Sequence, residues 1–160
     1  MATTHATAAD ADLTLRLYDL RRETEMRKAR NWFAGEFWPR NFADLERTMM
    51  QFGSPQSRWI GQVVSYWEMA AALVAHGAFH PGLFFDTCGE AWFYYAKLKP
   101  FLQEARKRFS PDFMINLEKT IEGSPEGRER LQRVEGHIAQ FRAMAEEQRE
   151  KQQNMDREAA

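Results

Sequence analysis

The chain has 160 residues, of which 44% are hydrophobic and 28% are charged, and its formal net charge at pH 7 is −1. These values are typical of one globular domain and exclude a globally disordered chain. A net charge so close to zero provides no overall field to attract nucleic acid or an anionic membrane, so we expect neither as a partner.

Residues 1–9 are small and polar, without the basic and apolar regions of a signal peptide, and we expect them to be disordered. Asp10 or Asp12 can cap a first helix, in which three leucines recur at helical spacing: Leu13, Leu17 and Leu20. The apolar phase then changes, and Thr24 is a suitable new N-cap. We expect two helices with a break near residues 22–24, or one kinked helix.

Pro39 closes the next helix, and Asn41 followed by Asp44 resembles a capping box that opens a short one. Gly53 ends that helix. Ser54-Pro55 then starts a long apolar helix that runs to about residue 75, where Gly77 stops it.

His80-Pro81-Gly82 turns the chain into another long helix, which contains Gly89 and which Pro100 should kink or restart. The same cap-plus-proline pattern predicts further helix starts at Ser110-Pro111-Asp112 and at Ser124-Pro125-Glu126. No segment alternates with a period of two, so we predict an all-α single-domain bundle of about seven helices. Its organisation would be a disordered segment 1–9, a helical core 10–123 and an amphipathic helix 124–160 with a frayed polar end.

The C-terminal helix carries apolar side chains at alternating spacings of three and four, which is the pattern of a heptad seam. The seam residues are Leu131, Val134, Ile138, Phe141 and Ala145. Such a stripe packs either on its own bundle or on a partner chain, and the sequence leaves both open. A two-fold dimer is the simplest assembly that buries a self-complementary stripe.

Two aromatic stretches, residues 58–75 and 81–102, are predicted to form the core, and a few polar groups lie within them. A pocket between two helices could be lined by Trp67, Glu68, His76, Glu90, Tyr94 and Tyr95. A carboxylate in such a pocket can act as a general acid or base. The structural alternatives are that Glu68 pairs with a basic side chain and that His76 caps a helix end.

We find no catalytic constellation and predict no catalytic residue, metal or cofactor. The sequence contains no Glu-x-x-His pair, no Gly-x-Ser-x-Gly motif and no glycine-rich phosphate loop. Cys88, the single cysteine, cannot form an internal disulfide, is interpreted as a packing residue and favours a cytoplasmic location.

Several short motifs resemble a family of small bacterial all-helical proteins of unknown function. They are the run Leu17-Tyr18-Asp19-Leu20-Arg21-Arg22 through Met26 to Trp32-Phe33, then Trp67-Glu68, His76-Gly77, Gly89-Glu90 and Leu98-Lys99-Pro100-Phe101. The resemblance covers about residues 13–108 and not the C-terminal helix. It implies an all-α fold and carries over no functional residue.

The sequence therefore favours a non-enzymatic, cytoplasmic helical interaction protein that forms a homodimer and binds another macromolecule. The alternative is a small-molecule-binding helical domain, possibly an enzyme, with its pocket near Glu68 and Glu90.

Overall fold

A computed structural model describes residues 5–158, and within that range the chain forms helices joined by turns, without a strand. The helices are α1 (Ala8–Arg22), α2 (Thr24–Gly35), α3 (Phe42–Met50), α4 (Pro55–Ala75), α5 (Pro81–Thr87), α6 (Glu90–Leu98), α7 (Leu102–Arg108), α8 (Ile115–Glu122) and α9 (Pro125–Glu158). A 3₁₀ turn, Lys99–Phe101, joins α6 to α7. The predicted all-α fold with a long last helix is confirmed.

The N-terminal helix begins earlier than expected. Thr7, not Asp10 or Asp12, is its N-cap, and Asp10 returns the bond by accepting from the Thr7 backbone nitrogen at 2.8 Å. Ala8 and Ala9, which were predicted to be disordered, therefore belong to α1. Residues 1–4 of the predicted disordered segment lie outside the described residues. At the other end, residues 159 and 160 of the predicted frayed segment also lie outside them.

The break between α1 and α2 is confirmed, but Glu23 caps α2 instead of Thr24. The Glu23 carboxylate accepts bonds from the backbone nitrogens of Glu25 at 2.9 Å and Met26 at 3.1 Å. A carboxylate reaches these free amides and also complements the positive end of the helix dipole.

The capping residues of α3 and α4 are those expected from the sequence. Asn41 accepts from the Asp44 nitrogen at 3.0 Å, and Ser54 accepts from the Ser57 nitrogen at 3.1 Å. The carboxylate of Asp44 bonds to the Arg40 nitrogen, so the reciprocal half of the expected capping box is absent there. Gly53 adopts a φ of 88° after α3, a conformation that favours glycine.

Two predicted helices are corrected. The expected long helix after His80 is divided at Cys88 and Gly89 into α5 and α6, whereas the expected restart at Pro100 is confirmed. The helix expected at Pro111 begins at Ile115, after Met114 with a left-handed φ of 56°. In both cases a side chain from a distant helix bonds to the helix end, as described below.

Helix α4 lies at the centre of the bundle and packs against α2, α3 and α8. Helix α9 packs against α6 and α8, and α1 packs against α2 and α5. The largest fully buried side chains include Trp67, Trp92 and Tyr95, so the aromatic stretches form the core as predicted. Each such side chain stabilises the fold by roughly 1.5–3 kcal/mol.

None of the helices in residues 5–158 combines the length and the apolar character needed to cross a membrane.

Candidate functional site

Three of the residues predicted to line a pocket, Trp67, Glu90 and Tyr94, lie in one region where α2, α4 and α6 meet. The Tyr94 ring is 6.0 Å from the Trp67 ring. Glu90 receives two bonds from the guanidinium of Arg30, one of them from Nε at 2.9 Å. Burial raises the pKa of the Tyr94 phenol, so this group is protonated at neutral pH.

Glu68 lies elsewhere and has a structural role. Its Oε1 atom accepts from the backbone nitrogen of Asn116 at 2.7 Å, and its Oε2 atom accepts from the nitrogen of Leu117 at 3.0 Å. These amides belong to the first turn of α8, whose preceding residue, Met114, supplies no capping side chain. Glu68 therefore caps α8 from α4, which explains why a carboxylate is needed there without a basic partner.

His76 and Tyr95 are separate from each other and from the region around Trp67. His76 is exposed at the end of α4, where its backbone nitrogen bonds to the Ala72 carbonyl oxygen at 2.9 Å. The buried Tyr95 donates its hydroxyl proton to Glu122 at 2.5 Å, and Glu122 lies 3.4 Å from Lys99. Tyr95 therefore has a structural role, whereas the bond of His76 at the helix end is one that its backbone makes.

Sequence reasoning missed Lys97. The Lys97 side chain is completely buried and its Nζ atom donates to the Phe33 carbonyl oxygen at 2.5 Å. The amine lies 3.5 Å from the centre of a Trp38 ring and 4.8 Å from that of Phe33. Burial, with the charges of two arginines on α9 in addition, lowers the pKa of Lys97 to about 6. The signal in the sequence was its position four residues after Phe93, on the apolar face of α6.

An apolar cleft of about 350 Å³ lies against α1, beside the region around Trp67. Its walls are Thr14, Leu15, Leu17, Tyr18, Arg21, Tyr66, Thr87 and Cys88. The guanidinium of Arg21 lies 5.2 Å from the centre of the Tyr18 ring and 5.9 Å from that of Trp67. Burial raises the pKa of the Cys88 thiol, so the thiol is held in its unreactive protonated form.

A second cleft, of about 550 Å³, lies between the segment that follows α2, helix α3 and the distal part of α9. Its lining is charged in both signs and includes Arg40, Asp44, Arg47, Arg149 and Glu150. Asp44 pairs with Arg47 at 3.2 Å and with Arg40 at 3.6 Å, so the cations and the central acid offset one another. With three arginines and four acids in its lining, this cleft carries no large excess of either charge.

Across residues 5–158, no group of three or more His, Cys, Asp or Glu side chains is arranged to hold a metal ion.

The predicted seam of α9 divides into an inner and an outer part. Leu131 and Ile138 are buried in the core of the same chain, and Val134 and Ala145 pack partly against it. Phe141 touches Trp38, with 6.4 Å between ring centres, yet half of the Phe141 side chain is exposed. The first half of the seam therefore packs on its own bundle, one of the two arrangements that the sequence left open.

Comparison with known proteins finds no match among curated proteins and none among solved structures. A family profile described as a domain of unknown function (DUF4760) matches residues 6–124, that is, α1 to α8 without α9. Since the match covers well over half of the chain, this protein belongs to the DUF4760 family.

Proposed function

We propose that this protein is a non-enzymatic interaction protein that forms a homodimer through the distal part of α9. The observation that carries the proposal is a stripe of exposed side chains along the distal part of α9. We define the α9 stripe as Phe141, Met144, Gln148, Lys151 and Met155. Phe141, Met144 and Met155 are 50%, 56% and 55% exposed, so three large apolar groups face water on one side of a charged helix.

The spacing of the α9 stripe supports pairing with another helix. Its members recur at intervals of three and four residues and so lie on one side of the helix. Every residue from Glu146 to Arg157 is exposed. A predominantly polar helical segment of this length is marginal in water unless another element packs against it.

A second copy of this chain is the occupant that the stripe fits. In an antiparallel pair centred on Gln148, Phe141 of one copy faces Met155 of the other, and the symmetry repeats the contact. The two Gln148 amides can then bond to each other at the centre.

The roles of the ionisable candidates support binding over catalysis. Glu68 is engaged in capping α8, Glu90 is paired with Arg30, and His76 lies exposed at a helix end. In this proposal the homodimer presents two family cores to a further macromolecular partner.

The mass of the full chain in solution tests the proposal. We expect light scattering after size exclusion to give a dimer mass that falls towards the monomer on dilution, because a pair of short helices buries a small area. Met144→Glu combined with Met155→Glu should give a monomer at every concentration. The matched control is Met69→Glu on α4, because Met69 is likewise exposed, at 43%, but lies outside the α9 stripe. This substitution should leave the dimer intact. A monomeric mass for the unmodified chain at all concentrations would exclude the homodimer, and a dimer that survives both glutamates would exclude this stripe.

A further inference from the structure

We propose that the cleft against α1 binds a small monocarboxylate with an apolar body, and that Arg21 holds its carboxylate. The cleft has a volume of about 350 Å³, at the lower end of the range found for small-molecule sites. This site does not involve α9, so it is independent of the proposed dimer.

The walls of the cleft require an apolar ligand body. Four of the lining residues carry hydroxyl groups, and three of these hydroxyl protons are already donated to backbone carbonyl oxygens. Tyr66 donates to Leu17 at 2.6 Å, Thr87 to Leu83 at 2.6 Å and Thr14 to Asp10 at 2.8 Å. The fourth hydroxyl belongs to Tyr18, which is exposed at the rim. A ligand group deeper in the cleft therefore meets no free hydroxyl donor, and burying a polar group there would cost free energy. The buried Leu17 and the exposed Leu15 and Tyr18 supply apolar surface at the base and the rim.

Arg21 gives the cleft its charge. No acidic residue lines the cleft, and no ion pair of Arg21 occurs within the part of the chain that the structure describes. The neighbouring Arg30 is neutralised by its two bonds to Glu90. The positive charge of Arg21 is therefore uncompensated at a half-buried position, where a bound anion gains more than it would on an open surface.

One arginine favours a carboxylate as the anionic group. A guanidinium presents parallel N–H donors that match the two oxygens of a carboxylate. A single cation also balances a single negative charge, whereas a phosphate monoester carries more charge than this cleft can offset. The expected ligand is thus a monocarboxylate with an aliphatic or aromatic body.

The ligand requirement can be tested by NMR titration of the labelled full chain with three probes: octanoate, octanol and acetate. Octanoate combines the anion and the apolar body, and each of the other probes supplies one of them. We expect saturable shifts of amides on α1 and around Thr87 with octanoate, at least tenfold weaker binding of octanol and no binding of acetate. Equal affinity for octanoate and octanol, or octanoate shifts that do not saturate or that map to another surface, would overturn the proposal.

The role of Arg21 has a close control on the same helix. Arg21→Gln should weaken octanoate binding about tenfold, to the level of octanol, because it removes a charge-assisted bidentate contact. Arg22 lies 5.3 Å from the centre of the same Tyr18 ring but does not line the cleft, so Arg22→Gln should leave octanoate binding unchanged. Equal effects of the two substitutions would refute the assignment.

A second variant covers the case in which Arg21→Gln fails to fold. Leu15 is 65% exposed at the rim, so Leu15→Glu should be tolerated by the fold. The added carboxylate should repel octanoate and reduce its affinity several-fold relative to octanol. If Leu15→Glu leaves octanoate binding unaffected, the carboxylate of octanoate does not bind beside Arg21.

Discussion

The Nζ atom of Lys97 on α6 lies 2.5 Å from the carbonyl oxygen of Phe33, near the end of α2. That carbonyl is one of the last four of its helix, and the nitrogen that would normally bond to it, that of Phe37, donates instead to Trp32 at 3.0 Å. The lysine thus supplies the missing donor. Arg142 and Arg149 add positive charge nearby and lower the pKa of the amine further.

We expect this buried amine to make the stability of the protein depend on pH. The pKa of Lys97 is about 6 in the folded chain, well below the value near 10.4 of an unfolded lysine. Between these values the unfolded state holds one more proton than the folded state. The free energy of unfolding should therefore rise with pH from about 6 to about 9, by at most about 1.4 kcal/mol per unit.

The measurement is urea unfolding at several pH values in that window, with Lys97→Met as the variant. The difference in stability between the unmodified chain and Lys97→Met isolates the lysine from other titrating groups. Lys107→Met removes an exposed lysine of α7 and serves as the control, with no change in slope expected. Parallel pH profiles for the unmodified chain and Lys97→Met would mean that the folded amine keeps its ordinary pKa.

A second prediction concerns the cap that Glu68 forms on α8. Glu68→Ala removes the acceptor of two backbone amides, those of Asn116 and Leu117, and should lower the free energy of unfolding by about 1–3 kcal/mol. Glu68→Gln retains one acceptor oxygen, so its free energy of unfolding should lie between those of the unmodified chain and Glu68→Ala. Both amides should exchange hydrogen faster in Glu68→Ala, whereas Glu146→Ala, at an exposed position of α9, should change neither quantity. Unchanged exchange at Asn116 and Leu117 would show that the carboxylate is dispensable for the cap.

The features that could be predicted from the sequence are those set by neighbouring residues. Asn41 and Ser54 cap their helices through bonds to residues three positions later, and Gly53 takes the positive φ that ends a helix. Such caps are formed within a few consecutive residues, so they do not depend on how the rest of the chain packs. The aromatic core was predictable for a similar reason, because large apolar groups are stable only when buried.

The features that could not be predicted depend on residues that are distant in sequence. Helix α8 begins at Ile115 because Glu68, on α4, bonds to its first amides. The break between α5 and α6 is stabilised by Arg130 of α9, which donates to the Phe85 carbonyl oxygen at 2.5 Å. Likewise, the spacing of Lys97 from Phe93 places it on the apolar face of α6 but does not identify the Phe33 carbonyl oxygen that accepts its bond. Each of these features depends on a contact with a residue that is distant in sequence, and a single sequence does not identify that residue.

A third prediction is that Arg30 and Glu90 are energetically coupled. Their bidentate pair joins α2 to α6, with side-chain exposures of 24% and 36%. Because water partly screens the pair, we expect a coupling free energy of about 1–2 kcal/mol from the cycle of Arg30→Gln, Glu90→Gln and the double variant. The exposed pair of Arg133 and Glu129 on α9 is the comparison and should couple by less than about 0.5 kcal/mol. Equal coupling in the two pairs would show that burial adds nothing to the Arg30–Glu90 contact.

The last prediction concerns the glycine between α5 and α6. Gly89 has a φ of −54°, so alanine fits its backbone, but an added Cβ would lie 2.5 Å from Nη2 of Arg130. The guanidinium, at the end of a flexible side chain, would have to shift from its position 4.5 Å from the centre of the Trp92 ring, which weakens that contact and its bond to Phe85. Gly89→Ala should therefore lower the free energy of unfolding by about 0.5–1 kcal/mol.

The cycle with Arg130→Met distinguishes this displacement from a general intolerance of the position. Once the guanidinium is absent, the added methyl group meets no obstacle, and Gly89→Ala should change the stability by no more than a few tenths of a kcal/mol. Urea unfolding of Gly89→Ala, Arg130→Met and the double variant gives the change in the free energy of unfolding for each. If the two losses simply add, the glycine is required for a reason other than the approach of Arg130, and the break between α5 and α6 has another cause.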